Sequence, residues 1–97
     1  MNTKQIKQLK SFGHTLSPVV TVGQHGMKES INNEIEIALD YHQLIKLKIN
    51  LGDREQRDEL IQSLAEQHKA MLVQRIGNVA LFYRENKDKP SIFRNLV

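Results

Sequence analysis

The 97-residue chain contains no cysteine, which excludes disulfide frameworks, thiolate metal sites, iron–sulfur clusters and thiol catalysis. No apolar run approaches the roughly 18–20 residues of a membrane span, and no signal-peptide pattern opens the chain. The expectation is a cytoplasmic domain without a membrane partner. Aromatic residues are few, namely Phe12, Tyr41, Phe82, Tyr83 and Phe93, so stacking of single-stranded bases is not the binding mode that composition favours. Enzyme signatures are also missing. His14, His25, His42 and His68 show no metal-ligand spacing, and no cysteine can complete a site. Ser17 and Ser30 lie in no nucleophile-elbow pattern, and periodicity turns the middle carboxylates toward water, away from the apolar enclosure that raises a catalytic pKa. No catalytic residue, metal, cofactor or small-molecule substrate is expected.

What is present is enough for one compact domain. Leu, Ile, Val and Phe number 29, well above the roughly one-fifth of a chain below which disorder prevails. The formal net charge of +3 is modest, but its distribution is uneven. Residues 1–28 carry Lys4, Lys7, Lys10 and Lys28 with no acid, residues 29–68 carry nine acids against four bases, and residues 69–97 carry six bases against two acids. A basic–acidic–basic order suggests an anionic partner only if folding brings the basic blocks onto one surface.

Periodicity supplies the elements. Residues 3–12 read as a helix with Thr3 as N-cap, Ile6, Leu9 and Phe12 on one side, Lys4, Lys7 and Lys10 on the other, and Gly13 as its stop. Val19, Val20 and Val22 form a short β-branched strand between Pro18 and Gly23. A second helix begins near Met27, with Ile31, Ile35, Ala38 and Leu39 as its apolar stripe. From Leu44 to Leu51 the pattern alternates, with Ile45, Leu47, Ile49 and Leu51 opposite Lys46, Lys48 and Asn50, which is a half-buried strand with a cationic face. Asp53 and Gln56 form a capping box for a third helix that buries Leu60, Ile61, Leu64 and Ala65. Strands Met71–Ile76 and Val79–Arg84 flank Gly77-Asn78, a tight hairpin. The predicted fold is α/β: an N-terminal helix, then β-α-β-α-β-β, forming a mixed four-stranded sheet with packed helices. One domain spans residues 1–86, and residues 87–97 are a polar tail expected to be mobile.

The most informative segment is Gly23-Gln24-His25-Gly26, between a strand and a helix. Paired glycines let a bulky partner approach the backbone, and amides at the helix start attract phosphate. Lys28 adds a cation in a first turn whose dipole disfavours it, which makes sense beside a bound anion. Neither the P-loop nor the dinucleotide fingerprint is satisfied. Lys46 and Lys48 on the alternating strand, the lysine arc of the first helix, and Arg75 and Arg84 on the final hairpin complete the candidate cationic surface. Exposed strand lysines also keep sheet edges soluble without any ligand. With little aromatic surface, structured RNA held by phosphate and sugar fits better than a single strand. A protein-interaction adaptor docking an acidic partner is the alternative.

Pro18-Val19-Val20 with the GxxG segment, Leu44-Ile45-Lys46-Leu47-Lys48-Ile49, Asp53-Arg54-Glu55, and Ile76-Gly77 with Leu81-Phe82-Tyr83-Arg84 resemble the YhbY family. Its members are stand-alone bacterial forms of the CRM (chloroplast RNA splicing and ribosome maturation) domain. The resemblance spans nearly the whole chain. It implies an RNA-binding domain similar in fold to the C-terminal domain of translation initiation factor 3. It also implies ribosomal RNA and the precursor of the large ribosomal subunit as partners. Met27-Lys28 stand where the family often has Leu and a small hydroxyl residue, and Asn78 where it often has lysine.

Overall fold

The computed structural model describes residues 1–23 and 28–93. Its elements follow the predicted order: α1 (Thr3–His14), β1 (Val20–Val22), α2 (Glu29–His42), β2 (Leu44–Ile49), α3 (Arg54–Gln67), β3 (Met71–Ile76) and β4 (Val79–Tyr83). The sheet order is β1-β2-β4-β3. Strands β1 and β2 are parallel, joined through α2, while β4 runs antiparallel to both β2 and β3. The crossover through α3 therefore leaves a gap between β2 and β3, which the closing hairpin fills with β4.

Apolar periodicity decides which face each helix covers. On one side, Ile35 and Leu39 of α2 and Ile61, Leu64 and Ala65 of α3 meet Val20, Val22, Ile45, Leu47, Ile49, Ala80 and Phe82. On the other, Leu9 of α1 packs with Leu44, Val73, Leu81 and Tyr83, flanked by Phe12, Met71, Ile92 and Phe93. The sheet is thus a middle layer with two helices on one face and one on the other. Phe82, Ile45, Leu47 and Ile49 have no solvent exposure, consistent with strands covered on both sides.

Three local readings change. The N-cap of α1 is Asn2, not Thr3: Asn2 accepts the Gln5 backbone N–H at 2.8 Å, and Gln5 returns a bond to the Asn2 N–H at 3.1 Å. Gly13 does not stop α1 but lies inside it, where a Cβ would run into the Leu81 side chain. Its missing side chain lets the last turn of α1 sit down on the sheet. The third change is the tail. Buried Gln43 accepts the Asn86 N–H at 3.0 Å and donates to the Pro90 carbonyl at 3.1 Å. Phe93 meets Tyr83 edge to face with ring centroids 5.7 Å apart. Residues 86–93 make these contacts with the fold because a carboxamide buried at the C-terminus of α2 needs backbone partners and these residues supply them.

Candidate nucleic-acid interface

Strand β2 builds the centre of the site. Alternation sends Ile45, Leu47 and Ile49 into the larger core, so Lys46 and Lys48 emerge on the face that carries α1. Helix α1 covers the part of that face around Leu44, Leu81 and Tyr83. The part nearer the hairpin stays open. There Lys48 pairs laterally with Thr21 and Val79, and Val79 with Ile76, which is 65% exposed. Lys46 lies opposite Leu81, itself opposite Gln74.

Several connections gather at the carboxyl ends of the parallel strands β1 and β2. Gly23 leaves β1 there, the Asn50 N–H donates to the Val22 carbonyl at 2.8 Å, and the Asn78 carboxamide donates to that of Asn50 at 2.6 Å. Gly77 turns the hairpin in the left-handed region, with φ +59°, a conformation glycine adopts without steric cost. A Cβ placed on Gly23 would meet nothing within 4 Å, so packing among the described residues does not demand glycine there. Lys28 is the exposed, extended N-cap of α2 and makes no side-chain capping bond. Gln24, His25 and Gly26 lie outside the described residues.

Lys4, Lys7 and Lys10 are all exposed on α1, the helix on the same side of the sheet as Lys46 and Lys48. None of these lysines, nor Lys28, forms an ion pair among the described residues. Helix α1, which carries Lys4, Lys7 and Lys10, therefore lies on the same side of the sheet as the strand lysines, while Lys28 caps α2, the helix of the other side.

The arginines of the last hairpin do not join them. Arg75 lies opposite Ala80, on the α3 side, where its Nε sits 2.7 Å from Asp58 Oδ1. A β-bulge between Leu72 and Gln74 is the reason. One extra residue reverses the alternation, turning Gln74 and Ile76 toward the open face and Arg75 away from it. Arg84 follows Phe82 to the α2–α3 side. It donates to Glu36 Oε1 and the His68 carbonyl, both at 2.8 Å, and to Asp40 Oδ1 at 2.7 Å. Buried His68 closes this cluster, with Nδ1 2.5 Å from Glu36 Oε2 and Nε2 3.2 Å from the Asn32 carboxamide. The His68 hydrogen bond, assisted by Arg84 and opposed by burial, holds the Glu36 carboxyl below its ordinary pKa. Burial, then the charge of Glu85, raises the Tyr83 phenol. Both arginines thus join helix to sheet.

Sequence reasoning missed a groove of about 300 Å³ between the end of α1 and the open half of the sheet, lined by Gly13, His14, Pro18, Lys46, Gln74, Ile76, Val79 and Leu81. The bulge hid the facing of Gln74, and the reading of Gly13 as a helix stop hid the wall made by His14. No group of three His, Asp or Glu residues among the described residues could hold a metal ion, and no helix among them is long and apolar enough to cross a membrane.

A family model described as the CRS1 / YhbY (CRM) domain matches residues 1–84. A Pseudomonas aeruginosa protein named as a probable RNA-binding protein is 44% identical over 86 residues, spanning 89% of this chain and 83% of that one. An RNA-binding protein of Haemophilus influenzae is 40% identical over 88 residues, spanning 91% and 89%. The solution structure of a hypothetical Staphylococcus aureus protein, with a suggested RNA-binding role, superposes with a TM-score of 0.76 at 31% identity. That match covers 90% of this chain and 91% of the other.

Proposed function

This chain belongs to the CRS1 / YhbY (CRM) domain family, and from that premise we propose that it is a non-catalytic, cytoplasmic RNA-binding protein. Its partner in this reading is ribosomal RNA in precursors of the large ribosomal subunit, whose assembly it assists. The names of the relatives support the RNA. The observation that carries the reading is the pair Lys46 and Lys48, unpaired on an open sheet face beside a lysine-studded helix, while Arg75 and Arg84 are held in ion pairs elsewhere.

In the proposed mechanism Lys46 and Lys48 neutralise phosphates across the open face, and Lys4, Lys7 and Lys10 extend the contact along α1. Gly23, at the end of β1, and Lys28 receive the RNA backbone together with the Gly23-Gln24-His25-Gly26 segment of the sequence, whose glycines admit close approach. A grooved, phosphate-reading surface suits structured RNA.

The test is a salt titration of affinity for a structured ribosomal RNA fragment, alongside heparin as a polyanion control, with sedimentation of the protein from cells on a ribosome gradient. RNA preference over heparin, a linear log–log salt dependence and co-migration with large-subunit precursors are expected. Equal affinity for RNA and heparin would favour an adaptor for acidic partners. Absence from the precursor fractions would remove the assembly role.

A further inference from the structure

We propose that the groove between the end of α1 and the sheet receives a single unpaired nucleobase of the bound RNA, which makes this face selective as well as cationic. The inference rests on the RNA-binding reading and adds to it a base-specific subsite.

The groove has the composition of a small ligand cleft. Its volume of about 300 Å³ is at the lower end of such sites, which run from about 300 to 1,000 Å³. The floor is apolar, made by Leu81 and Val79 with Ile76 at the rim. Pro18 and His14 also line the groove, residue types on which a flat ring can lie. Polar groups converge from two sides. The Gln74 carboxamide, half-buried, has no hydrogen-bond partner among the described residues, and it offers both donors and an acceptor to a base edge. Lys46, which also lines the groove, supplies the cation for the nucleotide's own phosphate. Among the described residues, no carboxylate lines the groove to repel that phosphate.

Two devices of the fold make the subsite. The bulge in β3 puts Gln74 on this face, where strict alternation would have hidden it. The absent side chain of Gly13 lets α1 settle against Leu81 and bring His14 to the rim. A base in this position need not be stacked in a single strand. A nucleotide bulged from a helix can enter while the flanking duplex lies on Lys48 and α1.

The experiment compares RNA hairpins carrying one bulged A, C, G or U with the same hairpin bearing an abasic bulge and with a fully paired hairpin. Affinities are measured by fluorescence anisotropy, and the amides of Gln74, Ile76 and Val79 are followed by NMR. At least one bulged base should bind about tenfold tighter than the abasic bulge, the scale of one well-made base contact. Gln74→Leu, similar in size and unable to hydrogen-bond, should erase the preference among bases without changing the salt dependence. Equal affinity for all bulged, abasic and paired hairpins would overturn the subsite while leaving the RNA-binding reading intact. No binding to any hairpin would instead sink both. Free adenosine and uridine monophosphates form a third arm. Shifts at these amides with the free nucleotides, without discrimination between base and abasic bulge, would make the occupant a free nucleotide and overturn the RNA assignment. The base-against-abasic comparison uses the native chain, so it holds even if Gln74→Leu fails to fold.

Discussion

At the scale of single residues, the protein separates charges that hold the fold from charges that face outward. Arg84 is engaged by Glu36, Asp40 and the His68 carbonyl. Arg84→Ala removes its bond to the part-buried His68 carbonyl and leaves Glu36 and Asp40 to water, and should cost about 1–2 kcal/mol in denaturant unfolding. Lys46 is unpaired, so Lys46→Ala should change stability by no more than about 0.5 kcal/mol. It should nevertheless weaken RNA binding. A fall in affinity caused only by unfolding in Lys46→Ala would contradict this division. Glu36 extends the argument to pH. Its pKa is lowered in the folded chain by the His68 hydrogen bond, so the native state binds fewer protons there than the unfolded state. That contribution is present above the ordinary value of 4.5 and is lost as pH falls through the folded value. Glu36→Gln should therefore lower stability near pH 7 and flatten its decline as pH falls below the ordinary value of 4.5. Chemical denaturation across that range measures the difference, and parallel curves for both proteins would contradict it.

At the scale of elements, the seat of α1 on the sheet is set by one absent methyl group. Gly13→Ala gains helix propensity of about 1 kcal/mol but drives a Cβ into the buried Leu81 side chain. Overpacking of this kind costs about 1–3 kcal/mol, so the net effect should be destabilising. Combining it with Leu81→Val should recover part of the loss, and additive effects in a double-mutant cycle would disprove direct contact. The tail depends on a comparable point. Gln43 sits at φ +65°, unusual for a residue with a side chain, and spends its carboxamide on Asn86 and Pro90. Gln43→Ala should thus lower hydrogen-exchange protection at the Asn86 amide more than at Phe82. These elements also mark what the sequence made legible. The stripe of Leu60, Ile61, Leu64 and Ala65 and the Asp53–Gln56 capping box located α3, and the alternation of Leu44 to Ile49 placed Lys46 and Lys48 outside the main core. The arginines were misplaced for two reasons. A bulge has no periodic signature, so Arg75 and Gln74 exchanged faces unseen. The facing of Arg84 followed from its parity with Phe82, but the acids that capture it come from α2, more than 40 residues earlier. The contacts of the tail were equally hidden, because they rest on a glutamine at a helix end and on Ile92 and Phe93, which form no periodic stripe.

At the scale of the whole molecule, the acidic middle of the chain is folded away from its basic beginning. Glu29, Glu34, Glu36 and Asp40 belong to α2, on one side of the sheet, while α1 and the lysines of β2 occupy the other. The modest net charge of +3 therefore understates the field that a polyanion meets on the α1 side. Location, not net charge, should govern RNA affinity, and the chain contains matched residues to test that. Lys48 lies on the open face, whereas Lys89 rests 4.5 Å from the Tyr41 ring centre on the outer side of α2. Lys48→Ala and Lys89→Ala each remove one positive charge. If RNA lies on the α1 face, Lys48→Ala should shallow the slope of log affinity against log salt by about 0.7–0.9, the share of one phosphate contact. Lys89→Ala should leave that slope within error, because its charge lies behind the acidic helix and is screened over a distance of about 8–10 Å at physiological salt. Equal losses of slope in the two variants would mean that the protein binds RNA through its overall charge. A loss confined to Lys89→Ala would put the RNA on the opposite side of the sheet.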